Sequence, residues 1–281
     1  MIDKSRIAIV TTVVSFELYK KTATLFPQGI DKIVIDGTTG LYGIQSIKLI
    51  FEKKKIQKYD WIILADEDVF FYDSNLVFRL IEQMQEQEYS ICGIRDGGVI
   101  KHRFDNPFAV NTFFCILNYK EIVKQFNFDK VLKYQRFFPE LYLKEDYSNL
   151  LYQYNIKSLK EPYYCFFFWA GLNRYKFLYL DVVNPVNNDE IGNVILNNEN
   201  EKIGFHSWYA RAYNVFDDQT IRINAFLEVF GLVNEEIKSH EFYIIRVPFY
   251  NWKKRSKKFI KKIFKLHQKL DYFLVFFYFF F

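Results

Sequence analysis

A short apolar segment that ends in three consecutive acids constrains this chain more than any other part of its sequence. Residues 59–65 read Tyr-Asp-Trp-Ile-Ile-Leu-Ala, and Asp66, Glu67 and Asp68 follow directly. A continuous apolar run of this length is typical of a strand that is covered on both faces of a sheet. A second apolar group occupies residues 69–71. The three acids are therefore expected at the end of a buried strand.

Strand-like and helix-like patterns alternate over the first half of the chain. Strands are predicted at 6–14, 32–36, 59–65, 89–94 and 108–118, and helices at 43–58, 75–88 and 119–126. A helix near 144–154, a strand near 156–159 and loops over 181–203 are predicted further along. This alternation favours an α/β fold with a mostly parallel sheet flanked by helices. Ligands bind such sheets at the carboxyl ends of the strands, where Asp66 and its neighbours are expected.

The acids have the chemistry of a divalent-cation site. Two residues that are two positions apart in an extended chain point the same way, so Asp66 and Asp68 can present oxygens to one ion. Hard oxygen ligands suit Mg²⁺ or Mn²⁺, which would neutralise a leaving diphosphate as a Lewis acid. The alternative is a solvated acidic turn. Burying the acids between hydrophobic runs without a cation would be costly, which favours the metal site.

The segment from Tyr59 to Phe71 resembles the Asp-x-Asp metal-binding motif of GT-A glycosyltransferases, and the order and spacing of elements extend the resemblance over roughly residues 5–215. It implies a GT-A, Rossmann-like, mixed and mostly parallel sheet. It also implies transfer of a sugar from a UDP- or GDP-linked donor to a hydroxyl of a glycan or lipid-linked acceptor, with Mn²⁺ or Mg²⁺ bound. Asp66 and Asp68 would be metal ligands, and His206 would complete the site, although a lone histidine is more often an ordinary polar residue.

The resemblance further implies contacts with the donor at strand ends. These positions are Thr11, Thr12, Asp36, Asp66, Glu67, Arg95 and Asp96. Asp36 would bind the uracil or ribose, Arg95 a phosphate and Asp96 a sugar hydroxyl. Local turn chemistry is an equal alternative for Asp36 and for the Arg95–Gly98 segment.

The pair Glu145 and Asp146 resembles the Glu-Asp pair of inverting GT-A enzymes. Such chemistry needs a general base that takes the proton of the acceptor hydroxyl, and Asp146 is the first candidate, ahead of Glu145. The alternative is that both acids oppose a helix dipole. Retaining chemistry stays open.

The positive charge of the chain belongs to its end. Residues 251–281 contain nine Lys or Arg and one acid, so residues 1–250 carry a net charge of −3 although the whole chain is +5. A nucleic-acid partner is therefore disfavoured. We predict a glycosyltransferase domain at 1–250 and a basic, aromatic tail at 251–281 that contacts an anionic membrane surface. A partner-binding or packed terminal helix is the alternative.

The final apolar run is shorter than the ~20 residues that span a bilayer. No secretory signal pattern is found, so we expect a cytoplasmic protein that is peripheral on the inner face of the cell membrane and that serves surface polysaccharide or glycolipid synthesis. Two other functions stay open. A sugar-nucleotide nucleotidyltransferase would normally carry a Gly-rich basic loop after the first strand, and residues 11–19 contain no glycine or arginine. The other is a non-catalytic, membrane-tethered binding module.

Overall fold

The computed structural model describes residues 2–103, 105–143, 147, 150, 152–184, 189–252 and 256. The strands in this part of the chain are β1 Ile7–Val13, β2 Asp31–Asp36, β3 Trp61–Ala65, β4 Val69–Phe71, β5 Ile91–Arg95, β6 Val110–Asn118, β7 Phe177–Val183, β8 Asn193–Leu196, β9 Lys202–His206 and β10 Phe242–Ile245. The α-helices are α1 Phe16–Thr22, α2 Ile44–Glu52, α3 Asn75–Glu86, α4 Tyr119–Ile122, α5 Phe128–Val131, α6 Tyr164–Leu172 and α7 Asp217–Val229.

The strands form one mixed sheet in the order β10-β2-β1-β3-β6-β5-β7-β8-β9-β4. Strands β10, β2, β1 and β3 run parallel, and β5 pairs parallel with β7. Strand β6 is antiparallel to both β3 and β5, and β7, β8, β9 and β4 pair antiparallel in turn. The mixed α/β architecture is confirmed, although parallel pairing does not dominate the whole sheet. The carboxyl ends of β1, β2, β3 and β5 lie at the same edge.

Both faces of the sheet are covered, as the continuous apolar runs predicted. In β1, Ile7 and Ile9 belong to one hydrophobic cluster, whereas Ala8 and Val10 belong to the cluster on the other face. Strand β3 alternates in the same way. This burial on both sides fixes the register of each strand, since a one-residue slip would exchange the two faces.

The second half of the chain departs from the sequence predictions. Residues 181–203 are not a set of loops, because they include the end of β7, all of β8 and the start of β9. Some of the Asn side chains in this segment are satisfied interior groups. Asn193, for example, is fully buried, accepts a bond from the N–H of Val99 and donates one to the carbonyl of Ile191.

Two further differences concern residues 152–172. The strand predicted near 156–159 is absent there, and these residues form a turn and an irregular segment. Helix α6 has no apolar stripe, since seven of its nine residues are buried. An unbroken apolar run is compatible with both a buried helix and a buried strand. Hydrophobic periodicity therefore does not predict this helix.

Several predictions fall outside the described residues. They include most of the helix near 144–154, with Glu145 and Asp146, and nearly all of the tail at 251–281. Residues 152–154 are not helical. Within the described part of the chain, no helix is long and apolar enough to cross a membrane.

Candidate metal and donor site

Asp66, Asp68 and His206 come together at the edge of the sheet. Asp66 follows β3 directly, and the pairing of β4 with β9 places Val69 opposite His206. One ligand atom from each of the three side chains lies within 4.8 Å of the other two. Nε2 of His206 is 3.1 Å from Oδ1 of Asp68. The structure therefore brings together the three side chains that the sequence analysis singled out as metal ligands.

The electrostatics of this group are unfavourable without a counter-charge. Burial, followed by repulsion from Glu67 and Asp68, raises the pKa of Asp66 to about 7. Burial and the charge of Asp68 likewise raise the pKa of Glu67 to about 7. Burial also acts to raise the pKa of Asp68, but attraction to His206 and hydrogen bonds outweigh it and leave that pKa lowered. The positive charge near these three carboxyl groups is thus too small to stabilise all of them in the ionised form.

The ring of His206 packs against two aromatic side chains. Its ring stacks on Phe113 with the centroids 4.1 Å apart, and the ring of Trp208 lies 4.5 Å away. The side chain is 2% exposed, and its Nδ1 is buried without a hydrogen-bond partner. Nε2 is therefore the nitrogen that could join the carboxylates in binding a cation, whereas Nδ1 is a buried polar atom whose hydrogen-bonding capacity is unused.

The loop after β9 has a strained backbone. Trp208 and Tyr209 both adopt the left-handed conformation, with φ of 64° and 65°. Two consecutive non-glycine residues in this region are costly, and such strain persists where the surroundings impose it. Here the backbone N–H groups of Ser207 and Ala210 both bond to Asp68. The loop then carries Arg211, whose positive charge acts to lower the pKa of Asp66.

The side chain of Glu67 points away from Asp66 and Asp68 and accepts hydrogen bonds from the backbone. Its Oε1 accepts hydrogen bonds from the N–H groups of Val14, at 2.9 Å, and Ser15, at 3.2 Å. Its carbonyl accepts a bond from the hydroxyl of Thr22. The triplet is not extended as the sequence predicted, because residues 66–69 form a turn in which the N–H of Val69 donates to the carbonyl of Asp66. Through its hydrogen bonds, Glu67 joins the acidic segment to the β1–α1 junction.

The acids open into a cleft of about 1000 Å³. Thr12 lines it from the end of β1, and Arg103 and Arg211 supply positive charge to its wall. Arg103 pairs with Glu161 at 3.0 Å and lies against the ring of Trp208, 5.0 Å from its centroid. Glu161 has no role predicted from sequence, because nothing in its local pattern distinguishes it from other acidic residues of the chain.

Four predicted donor contacts lie elsewhere or face the interior. Thr11 is buried, and its hydroxyl has no partner among the described residues. Asp36 accepts bonds from the backbone and hydroxyl of Thr38 and pairs with Arg246 at 3.4 Å, as the turn alternative predicts. Neither residue lines the cleft. A donor contact for these two positions stays a prediction.

Arg95 and Asp96 turn into the protein instead of the cleft. Nη1 of Arg95 donates to the carbonyl of Pro107, and its guanidinium lies 3.7 Å from the ring centroid of Tyr179. Asp96 is fully buried and accepts hydrogen bonds from the side chains of Asn111, Tyr163 and Tyr164. Burial raises its pKa to about 6. These contacts account for both side chains and leave Asp96 no access to a sugar hydroxyl.

Comparison with known proteins identifies no family. No protein family model and no curated protein sequence matches the chain. Among solved structures, mouse xyloside xylosyltransferase 1 in its apo form is similar with a TM-score of 0.34 and 12% identity, covering 63% of this chain and 85% of that one. A197 from STIV is similar with a TM-score of 0.31 and 11% identity, covering 71% and 93%. These likenesses are too low to carry a functional argument.

Proposed function

We propose that this protein is a metal-dependent glycosyltransferase that uses a nucleotide diphosphate sugar, linked to UDP or GDP, as its donor. The observation that carries the proposal is the Asp66, Asp68 and His206 group at the strand ends of an α/β sheet, open to a cleft with two arginines in its wall. A glycan or lipid-linked hydroxyl would be the acceptor, and synthesis of a surface polysaccharide or glycolipid is the process that we propose it serves.

The residues of the site fit Mn²⁺ or Mg²⁺. Two carboxylates and one imidazole are ligands that Mn²⁺ accepts, and Mg²⁺ is compatible with the carboxylates. The raised pKa of Asp66 indicates a site that lacks a positive charge, and Nε2 of His206, 3.1 Å from Oδ1 of Asp68, is the imidazole nitrogen that faces the acids. A bound cation would supply Lewis-acid stabilisation to the departing diphosphate.

The protein's own side chains would orient the donor. Arg211, next to the acidic group, and Arg103, on the same cleft wall, would attract the diphosphate. Thr12 at the end of β1 lies where the donor would enter the sheet edge. The ring of Trp208 packs against the guanidinium of Arg103 in the wall of the cleft. A general base at Asp146, or at Glu145, stays a proposal from sequence.

A nucleotidyltransferase is less well supported. Enzymes that bind a nucleotide phosphate at the first β–α turn offer it free backbone N–H groups at the start of a helix. Here the N–H groups of Val14 and Ser15 already donate to Glu67. The chain's own carboxylate thus occupies the place where a phosphate would bind.

A donor screen tests the proposed function. Purified protein is incubated with UDP- and GDP-linked sugars with Mn²⁺, with Mg²⁺ or with EDTA, and release of the nucleoside diphosphate is measured. We expect hydrolysis of at least one donor that requires metal and is lost in Asp66→Ala. Glu82→Ala, on an exposed position of α3, is the matched control and should retain activity. Equal hydrolysis by wild type and Asp66→Ala would refute the proposed metal site, and absence of both metal binding and hydrolysis would favour the non-catalytic module.

A further inference from the structure

Several residues that line the cleft carry apolar side chains that are exposed to solvent. Tyr42, Tyr209 and Phe216 line it, and they are 44%, 43% and 64% exposed. Val215, beside Phe216, is 66% exposed. We call these four residues the mouth rim. Large apolar side chains gathered around one opening are unusual on a surface that meets only water.

The chain leaves the described structure at this same opening. Tyr250 lines the cleft, and the side chain of Asn251 lies against Gly40, which also lines it. Trp252 follows and is 68% exposed. The sequence beyond it contains nine Lys or Arg and one acid, and ends in ten residues of which all are aromatic or aliphatic. A strongly basic and apolar sequence therefore begins at the edge of the mouth rim.

We propose that the mouth rim is a docking surface for a lipid bilayer with anionic headgroups, and that it turns the cleft opening toward the membrane. Aromatic and aliphatic side chains enter the headgroup region, and basic residues nearby are attracted to anionic lipid. The rim itself is followed by Asp217 and Asp218, at the start of α7. Its own contribution is therefore apolar insertion, and the electrostatic attraction comes from the basic sequence after Trp252.

This orientation bears on the acceptor. A hydroxyl carried on a lipid headgroup would reach the cleft without leaving the bilayer, because the opening would face the headgroups. That consequence rests on the proposed glycosyl transfer, whereas docking itself does not.

Sedimentation with vesicles tests docking on the full-length chain without donor or metal. Vesicles of phosphatidylcholine alone and with phosphatidylglycerol are compared for wild type, for Val215→Ser/Phe216→Ser and for a variant with Lys257, Lys258, Lys261 and Lys262 changed to Gln. We expect the rim variant to bind on the order of tenfold more weakly at any salt concentration, since it loses apolar insertion. The lysine variant should lose the preference for anionic vesicles and the dependence on salt.

Labelling tests the orientation directly. The native cysteines Cys92, Cys115 and Cys165 are all buried, so an environment-sensitive thiol dye will report an introduced cysteine. Val215→Cys on the rim is compared with Val229→Cys, which is 80% exposed at the other end of α7. The two ends are roughly 18 Å apart along the helix. A blue shift on anionic vesicles is expected for the label at 215 and not at 229.

Three outcomes would overturn the proposal. The first is that wild type sediments with neither kind of vesicle, which would leave a protein partner as the occupant of the rim. The second is that the rim variant binds vesicles as well as wild type does. The third is that the labels at positions 215 and 229 show equal spectral shifts. Vesicle binding without any donor hydrolysis would refute the proposed transferase and leave the docking surface standing.

Discussion

Asp68 and His206 are 138 residues apart in sequence, yet Nε2 of His206 lies 3.1 Å from Oδ1 of Asp68. The antiparallel pairing of β4 with β9 makes this contact, because it sets Val69 opposite His206. Both side chains are 2% exposed. The carboxylate that the sequence predicts as a metal ligand is thus set beside an imidazole nitrogen by the pairing of two short strands.

Replacing His206 is expected to weaken metal binding. His206→Ala removes one of the three clustered donor groups, and we expect Mn²⁺ affinity to fall at least about tenfold, since even outer-shell partners of metal sites cost this much when changed. Isothermal titration calorimetry, or the electron paramagnetic resonance spectrum of free Mn²⁺, measures the affinity. His240→Ala, at an exposed position away from the acidic group, is the control. Equal affinities of His206→Ala and wild type would exclude the imidazole from the metal site.

Glu67 is expected to matter for stability through its hydrogen bonds. Glu67→Ala leaves the N–H groups of Val14 and Ser15 without their acceptor, and we expect the free energy of unfolding to fall by about 2 kcal/mol. Glu67→Gln keeps an oxygen for both bonds and should remain within about 1 kcal/mol of wild type. Urea denaturation measures both variants. A loss as large in Glu67→Gln as in Glu67→Ala would show that the charge, and not the bonds, stabilises the junction.

The metal-free protein is expected to lose stability as the pH rises. The pKa values of Asp66 and Glu67 are raised to about 7, so the folded state holds protons that the unfolded chain has released. The free energy of unfolding should therefore fall as the pH increases from about 5 to about 7 and then level off. Denaturation in EDTA across this range measures it, with Asp66→Asn as a variant whose profile should be flatter.

The affinity for metal is expected to change with pH in the opposite direction to the stability of the metal-free protein. Carboxyl groups must release their protons to bind a cation, so Mn²⁺ or Mg²⁺ affinity should increase with pH up to about 7, with proton release below that value. Calorimetry in two buffers of different ionisation enthalpy measures the protons released. An affinity that does not change between pH 5 and pH 7 would contradict the coupling.

Arg211 is expected to contribute to donor binding. In the presence of Mn²⁺, Arg211→Ala should bind UDP or GDP on the order of tenfold more weakly, because charge-assisted bonds to phosphate are among the stronger polar contacts. Arg79→Ala, which removes an exposed arginine paired with Glu201 outside the cleft, is the matched control. Equal nucleotide affinity of Arg211→Ala and wild type would place the diphosphate elsewhere.

The first strands of the fold could be predicted from sequence because each has a recognisable local pattern. The apolar runs in β1, β2 and β3 are short, rich in β-branched residues and bounded by polar or turn residues, a combination that favours a buried strand over a helix. Helix α6 and strands β7 to β9 were not accessible. An apolar run gives no period in a fully buried helix, and the Asn-rich positions near Asn193 look like loop until their partners are known.

The sequence by itself determined the acidic triplet at the end of a buried strand and the basic end of the chain, since both depend on neighbours along the chain. Only the tertiary structure decided which distant residues join them. It brought His206 and Arg211 to the acids, placed Arg103 in the wall of the same cleft, and turned Arg95 and Asp96 into the interior. The reason is physical: strand pairing and burial depend on contacts between segments far apart in sequence, which no local pattern records.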